Sequence, residues 1–266
     1  GRHGWLHVAT GSVTLNGTSS LTVTGNDGDS GNDRPNGRPR DAGQIRVDSL
    51  KRSSGAAGLP GEIDGVEQPE RVAMLEAWLD AGHTLGNHTH GHVDGHAVGI
   101  PAFEDAILRG ERMLRPMLAK RGQTPEWFRH PYLRAGRSTE DKAAITAFLA
   151  AHGYRVAPVT VDNGEWVWAF AYARVLDTQA DTPERAAVLE RLRLGYVPYM
   201  LNKLDYYERQ SQALLGNALP QILLLHANEL NAEAYAGLIA GIRRRGYRFV
   251  TLDAAMRDPA YAREDG

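Results

Sequence analysis

Residues 221–251 read QILLLHANELNAEAYAGLIAGIRRRGYRFVT, and this stretch has the pattern of a strand, a helix and a second strand. The apolar run Gln221–Leu225 predicts a short buried strand. Ala232–Arg245 predicts a helix that Gly246 closes, and Tyr247–Thr251 predicts the second strand. Strands that alternate with helices favour an α/β fold, with a parallel sheet or barrel and the helices outside it.

The same alternation continues on the N-terminal side of this stretch. Apolar residues at helical spacing predict five more helices, and a β-branched run predicts one more strand. Pro116 lies inside the second of these helices and is expected to bend or split it. The predicted helices are Gln68–Ala81, Phe103–Arg121, Ser138–Gly153 and a pair within Glu165–Gly216, and the strand is Tyr154–Val161.

The segment Gly11–Pro60 has a different composition. Only 11 of its 50 residues are apolar, and residues 25–40 (GNDGDSGNDRPNGRPR) contain none. Such a composition predicts a loop or a disordered segment. Only Ser12–Thr24 alternates as a strand pair would, with Asn16-Gly17 as its candidate turn. We therefore expect residues 1–61 to be an atypical segment that is poorly packed or disordered.

The composition of the whole chain excludes several classes of protein. The 266 residues include 30 Lys and Arg against 32 Asp and Glu, a net charge of −2, which argues against binding to a nucleic-acid backbone. There is no Cys, which excludes disulfides, thiolate metal ligands and a cysteine nucleophile. No run of about 18 apolar residues predicts a membrane span, and the given chain shows no signal peptide.

Five of the ten histidines lie in residues 81–96, which read AGHTLGNHTHGHVDGH. The three glycines between these histidines predict a loop or one short turn rather than a long helix. His88 and His92 are four residues apart and converge on one cation if a helical turn forms there. The alternative is a surface loop whose histidines only make hydrogen bonds.

Three further residues are candidates because of where they stand along the chain. Arg129 precedes a proline-fixed turn and could hold a carboxylate, although an Arg in such a loop, taken alone, is more often an ordinary surface residue. Asp162 follows a predicted strand, where catalytic carboxylates stand in α/β folds, although Asp is also a common helix cap. His226 ends the buried strand and is placed as a general acid or base, with a core histidine as the alternative.

Taken together and in order, these segments resemble the polysaccharide deacetylases, the NodB-homology group also called carbohydrate esterase family 4. The family motif H-[ST]-x-x-H stands here as HTHGH at 88–92, and R-x-P-[YFW] as RHPY at 129–132. The next motif, an Asp and a Trp after a strand, stands as Asp162 and Trp166. An apolar run before a His stands as LLLH at 223–226.

The resemblance implies a fold and an activity. The fold would be a distorted (β/α) barrel of the polysaccharide deacetylase type with a degenerate N-terminal part, and residues 62–266 would be its catalytic domain. The activity would be metal-dependent removal of acetyl groups from N- or O-acetylated carbohydrate. His88 and His92 would hold a divalent cation, usually Zn²⁺, which polarises the acetyl carbonyl beside an attacking water.

The resemblance also implies roles for the remaining candidates. His226 would donate a proton to the leaving amine or alkoxide, and Asp162 would lie near it and keep it charged. Arg129 would orient the carboxylate that takes a proton from the water. Tyr132 and Trp166 would form part of the pocket wall, on which a sugar ring or an apolar acyl group can stack.

The chain departs from the family at its first motif, a strand ending in two aspartates that act as the base and as the third metal ligand. No Asp-Asp pair precedes His88, and Asp33 is only the least poor match. Three explanations stay open: a degenerate enzyme, a carboxylate supplied unusually by the N-terminal segment, or residues from Gly11 to about Ile63 read in a shifted frame. A barrel that lacks its first strand exposes an edge and loses part of its core, so we expect residues 1–60 to be poorly ordered or weakly packed.

Rival functions follow from the same features. A hydrolase of the same fold could act on a non-sugar amide or ester, since the long helical insertion 164–220 would reshape the pocket. The missing aspartates favour an inactive relative that binds carbohydrate or metal. A histidine-rich metal buffer on an unrelated α/β domain is a more remote alternative. Many relatives are exported, so the resemblance implies a periplasmic or secreted protein.

Overall fold

The computed structural model describes residues 5–10, 62–63, 66–67 and 69–263. Its strands in chain order are β1 (Trp5–Thr10), β2 (Glu62–Ile63), β3 (Val66–Glu67), β4 (Trp127–Phe128), β5 (Arg155–Val156), β6 (Gln221–Leu225) and β7 (Arg248–Phe249). Its α-helices are α1 (Pro69–Asp80), α2 (Gly95–Val98), α3 (Ile100–Ala119), α4 (Thr139–Ala151), α5 (Glu165–Thr178), α6 (Pro183–Leu215), α7 (Glu229–Arg244) and α8 (Leu252–Ala255). The described residues fall into two compact units, one with 5–10 and 159–263, the other with 62–158.

A three-stranded parallel sheet organises the unit that contains residues 159–263. β1 lies in the middle, and pairs with β6 from Leu6↔Gln221 to Thr10↔Leu225 and with β7 at Trp5↔Arg248 and Leu6↔Phe249. Val161 forms an isolated parallel bridge with Leu223 on the other side of β6. Trp5–Thr10 therefore forms the middle strand of this sheet. The expectation of poor packing over residues 1–60 stays a prediction, because residues 1–4 and 11–61 lie outside the described part.

Helices α5, α6 and α7 pack together and form the larger core of this unit. The N-terminus of α6 is capped by Thr182, whose side-chain oxygen accepts from the Arg185 N–H, and the helix ends at Gly216 in the left-handed conformation. Burying each large apolar side chain stabilises the fold by about 1.5–3 kcal/mol. Large side chains that are fully buried in this core include Tyr172, Tyr196, Met200, Leu204, Leu223 and Leu230.

The unit that contains residues 62–158 has a smaller parallel arrangement. β4 pairs with β5, and Asn87 forms a parallel bridge with Phe128 on the other side of β4. Phe103 and Ile107 of α3 pack with Ile145 and Leu149 of α4 over Phe128. This packing fixes three chain segments side by side, so that their C-terminal ends meet at one edge.

The structure confirms the α/β class and most predicted elements. The loop at 81–96 contains only a 3₁₀ turn at His90–His92 and the four-residue helix α2, as the glycines predict. Pro116 does not split α3, which continues through it for one more turn to Ala119. Helix α7 starts earlier than predicted, because the Asn228 side chain accepts a hydrogen bond from the Asn231 N–H and caps the helix there.

Within the described residues, none of the helices combines the length and the apolar composition that crossing a membrane requires.

Candidate functional site

The histidine-rich loop and the RHPY motif begin at adjacent strand ends. The Asn87 N–H donates to the Trp127 carbonyl oxygen, and the Arg129 N–H donates to the Asn87 carbonyl oxygen. His88 therefore leaves the bridge at Asn87 beside the point where Arg129 leaves β4. Catalytic side chains in α/β folds stand at such C-terminal strand ends.

Asn87 fixes the start of the histidine-rich loop. Its amide nitrogen donates to the Ile107 carbonyl oxygen and to the Tyr154 hydroxyl, both at 2.9 Å, and its amide oxygen accepts from the Thr89 N–H at 2.9 Å. A Cβ on Gly110 of α3 would lie 2.6 Å from that amide oxygen, so glycine is required for this approach. The buried amide thereby joins α3, the strand end and the loop.

His88 and His92 come together as the sequence predicts. Their ring centroids are 4.8 Å apart, with an angle of 68° between the rings. The Nδ1 atom of His88 lies 2.7 Å from the Arg129 carbonyl oxygen, which can only accept, so Nδ1 carries the proton. In neutral His88 the lone pair is then on Nε2, and a backbone carbonyl on the opposite nitrogen is the usual support of a metal-binding imidazole.

Backbone strain is concentrated in these two motif loops. Among the described residues, the non-glycine residues with positive φ are Thr89 (68°), His92 (50°), Tyr132 (55°) and Leu133 (57°). A side chain in the left-handed region costs of order 1–3 kcal/mol, and such strain clusters at functional sites. The strained Tyr132 places its ring 4.6 Å from the His92 ring, so the two motifs are in contact.

Arg129 is buried, and its guanidinium donates to backbone carbonyl oxygens that follow β5. Nε donates to Ala157 at 3.2 Å and one terminal nitrogen donates to Pro158 at 3.4 Å. Burial lowers the pKa of Arg129 to about 10, so it remains charged at neutral pH. Its expected role in orienting a carboxylate stays a prediction.

His130 is a buried polar residue that the sequence did not single out. Its ring stacks on Phe103 with an interplanar angle of 3° and meets Phe128 edge-on at 5.0 Å. Burial, with a smaller effect from the positive charge of Lys142, lowers the pKa of His130 to about 4. The side chain is therefore neutral at neutral pH and packs as an aromatic residue of the core.

The second group of site residues lies in the other unit, around His226 at the end of β6. Its Nδ1 atom is 2.7 Å from Oε2 of Glu165, the first residue of α5. A carboxylate oxygen accepts, so Nδ1 donates and Nε2 is the nitrogen that can exchange a proton. Glu165 is only 2% exposed.

Two buried asparagines complete the environment of Glu165. Its Oε1 atom accepts from the side-chain amides of Asn228 at 2.5 Å and Asn231 at 2.8 Å. The Asn231 amide also donates to the His226 carbonyl oxygen at 2.7 Å. Both Glu165 oxygens are therefore occupied by hydrogen-bond donors.

These contacts correct one predicted role. The carboxylate that bonds to His226 belongs to Glu165, whereas Asp162 is exposed and its backbone carbonyl oxygen accepts from the Tyr207 hydroxyl at 2.5 Å. Both acids follow the same strand, and Gly164 between them has a positive φ of 70°. Nothing in the local pattern distinguishes them.

The two predicted pocket residues are exposed aromatic side chains. Tyr132 is 57% exposed and Trp166, at the start of α5, is 64% exposed. They belong to different units. Tyr132 contacts the His92 ring, and Trp166 follows Glu165 in the sequence. Both offer an accessible apolar face, and their contact with substrate stays a prediction.

Of the predicted metal site, the structure shows the two histidines, His88 and His92, close together. In the part of the chain that the structure describes, no three His, Asp or Glu side chains lie close enough together to hold a metal ion. The chemistry and support of His88 and His92 fit two ligands of a zinc site.

Comparison with known proteins places the histidine-rich loop and the RHPY motif inside one family signature. Residues 63–157 match the sequence model described as polysaccharide deacetylase. The resemblance to the polysaccharide deacetylases is confirmed. The matched residues contain four of the predicted site residues, His88, His92, Arg129 and Tyr132.

Solved structures of this type also resemble the chain. A CE4 family pseudoenzyme from Bacillus anthracis is 15% identical, with a TM-score of 0.47 over 71% of this chain and 51% of that one. The polysaccharide deacetylase Bc1974 from Bacillus cereus is 15% identical, with a TM-score of 0.45 over 69% and 73% of the two chains. The chain spans about half the length of the pseudoenzyme. No curated protein sequence matched it.

Proposed function

We propose that this chain is a metal-dependent hydrolase that removes acetyl groups from N- or O-acetylated carbohydrate. The observation that carries the proposal is the His88–His92 pair, with ring centroids 4.8 Å apart at a parallel strand end. Both residues lie in the segment that matches the polysaccharide deacetylase signature.

His88 and His92 would hold the cation, and Zn²⁺ suits two neutral imidazoles best among the common divalent metals. When bound, the cation supplies a Lewis acid for the acetyl carbonyl and lowers the pKa of a water. The chain itself orients these ligands, because the Arg129 carbonyl oxygen holds His88 by Nδ1 and Tyr132 packs against His92.

His226 would move the proton that the leaving group needs. Hydrolysis breaks the bond between the acetyl carbon and the sugar nitrogen or oxygen, and the oxygen of a water forms the new bond to that carbon. By the family resemblance, the leaving amine or alkoxide would take a proton from Nε2 of His226, and the proton that the water loses would return through solvent to His226. Glu165 holds Nδ1 and stabilises the imidazolium before transfer, as a buried carboxylate does for a catalytic histidine.

The experiment combines metal analysis with acetate release. Purified protein is loaded with Zn²⁺, dialysed, and assayed on N-acetylglucosamine oligomers, acetylated xylan and small acyl amides. We expect one retained metal ion, acetate release from an acetylated carbohydrate, and loss of release on chelation. His88→Ala should abolish metal retention, whereas His90→Ala, in the same loop, should preserve it. Metal retained by His88→Ala to the wild-type level contradicts the proposal.

A second candidate function is a catalytically inactive relative that binds carbohydrate or metal. It is favoured by the absence of an Asp-Asp pair before His88 in the sequence. Metal retention that depends on His88, with no acetate released from any substrate of the panel, supports this second function. Release from acyl amides alone supports a hydrolase of non-sugar substrates.

A further inference from the structure

Helix α6 presents three tyrosines on one face. Tyr196, Tyr199 and Tyr207 are separated by three and eight residues, which places them within about 60–80° of one another around a helix. Each of the three hydroxyl groups donates to a residue in or beside the loops that carry Glu165 and His226. The helix belongs to the insertion between the last two family motifs, so the motif residues themselves do not account for these contacts.

The first tyrosine acts on Asn231. The Tyr196 hydroxyl, which is completely buried, donates to the amide oxygen of Asn231 at 2.5 Å. With its oxygen held in this way, Asn231 must turn its NH₂ group toward Glu165 and the His226 carbonyl oxygen. Burial and the nearby Glu165 charge raise the pKa of Tyr196, so the hydroxyl remains a donor.

The other two tyrosines hold the turn that precedes Glu165. Tyr199 donates to the Asn163 carbonyl oxygen and Tyr207 donates to the Asp162 carbonyl oxygen, both at 2.5 Å. Gly164 completes this turn with φ 70°, and a Cβ on it would lie 3.2 Å from the Tyr199 hydroxyl. The turn therefore places Glu165 next to His226, and hydrogen bonds from α6 hold the carbonyl oxygens of Asp162 and Asn163.

We propose that α6 is a positioning element for the Glu165–His226 pair, and that it acts through the hydroxyl groups of Tyr196, Tyr199 and Tyr207. This inference rests on the proposed function only where it predicts an effect on catalysis. Its structural consequence is that these hydroxyls hold the His226 ring in the single tautomer with the proton on Nδ1.

The test measures His226 directly. Protein labelled with ¹⁵N-histidine is studied by long-range ¹H–¹⁵N NMR at a pH where His226 is neutral, and His226→Gln assigns the resonance. Wild-type protein should show the Nδ1–H tautomer alone. Tyr196→Phe and Tyr199→Phe should give a mixture of tautomers, because Glu165 is no longer held toward Nδ1. Tyr206→Phe, at an exposed neighbouring position, is the matched control and should keep the wild-type signal.

If Tyr196→Phe or Tyr199→Phe unfolds the protein, Tyr207→Phe is the milder variant to study in its place. Cooperative urea unfolding checks that each variant is folded. For a chain that releases acetate, kcat should fall about tenfold in Tyr196→Phe with KM within twofold, the usual effect of losing an outer hydrogen bond. A single wild-type tautomer in all folded tyrosine variants overturns the inference. Because NMR does not need turnover, that result is distinct from failure of the deacetylase assay.

Discussion

At the residue scale, Glu165 is the most constrained group of the second site. Its two oxygens accept from His226, Asn228 and Asn231, and water has almost no access to it. Glu165→Gln replaces an acceptor by an amide whose NH₂ faces these donors. We expect a loss of about 1–3 kcal/mol in the free energy of unfolding, measured by urea denaturation.

Glu190→Gln is the control for this loss. Glu190 also pairs with a cation, Arg193, but both side chains are accessible to water, with 47% and 40% of their surface exposed. Surface pairs of this kind contribute about 0–1 kcal/mol, so Glu190→Gln should change the free energy of unfolding much less. Equal losses in the two variants would show that the buried network around Glu165 does not stabilise the fold.

His130 predicts a pH dependence of stability. Its pKa in the folded protein, about 4, lies below the ordinary value of 6.5 that applies to the unfolded chain. Between these pH values the unfolded chain binds more protons, so the free energy of unfolding falls as the pH is lowered. The expected slope from this residue is about 1 kcal/mol per pH unit.

His130→Phe tests this prediction, because phenylalanine can replace the ring between Phe103 and Phe128 without titrating. Urea unfolding at several pH values from 7.5 to 4.5 should give a shallower decline for the variant than for the wild type. An unchanged slope in His130→Phe would assign the acid sensitivity to other groups.

The sequence identified His88, His92, Arg129 and His226 as candidates because each belongs to a short motif with its own residue pattern. Glu165 could not be separated from its neighbour Asp162 in the same way. The choice between the two acids depends on the φ of Gly164 and on tyrosines more than thirty residues away on α6. Such a choice is made by tertiary contacts, which leave no local signal.

At the scale of elements, Gly110 shows how α3 reaches the histidine-rich loop. Alanine normally favours a helix over glycine by about 1 kcal/mol. At Gly110 the added methyl group would collide with the Asn87 amide, which anchors the loop. Gly110→Ala should therefore destabilise the protein by about 1–3 kcal/mol in thermal or urea unfolding.

Gly237 in α7 offers the matched helix position. A Cβ there would meet only the Val197 side chain, at an ordinary 3.8 Å. Gly237→Ala should leave stability unchanged or raise it by up to about 1 kcal/mol, since only the helix propensity changes. If Gly110→Ala stabilises the protein as Gly237→Ala does, the close approach of Asn87 is not a constraint.

The helices were predictable because their apolar spacing and caps are local, as Ser138 before α4 and Thr182 before α6 show. The strand β1 was not predictable from the sequence, although it lies in the middle of its sheet. Its partners are more than two hundred residues away along the chain, and six residues without that context carry no periodic signal.

At the scale of the whole molecule, β1 links the two C-terminal strands of its sheet. Deleting residues 1–10 removes the neighbour that both β6 and β7 share. We expect faster amide hydrogen exchange in β6 than in the intact chain, measured by mass spectrometry. The pair β4 and β5 has no ladder to β1 and serves as the internal reference. Unchanged protection in β6 would contradict the central placement of β1.

The position of β1 also imposes an order of events during synthesis. The ribosome makes Trp5–Thr10 long before the strands on either side of it, because 210 residues separate Thr10 from Gln221. Until β6 and β7 have been made, both edges of β1 are unpaired and can pair wrongly with other nascent chains. The closing of this sheet is consequently a late, long-range step, and polypeptides that terminate before Gln221 should depend on chaperones to stay out of aggregates.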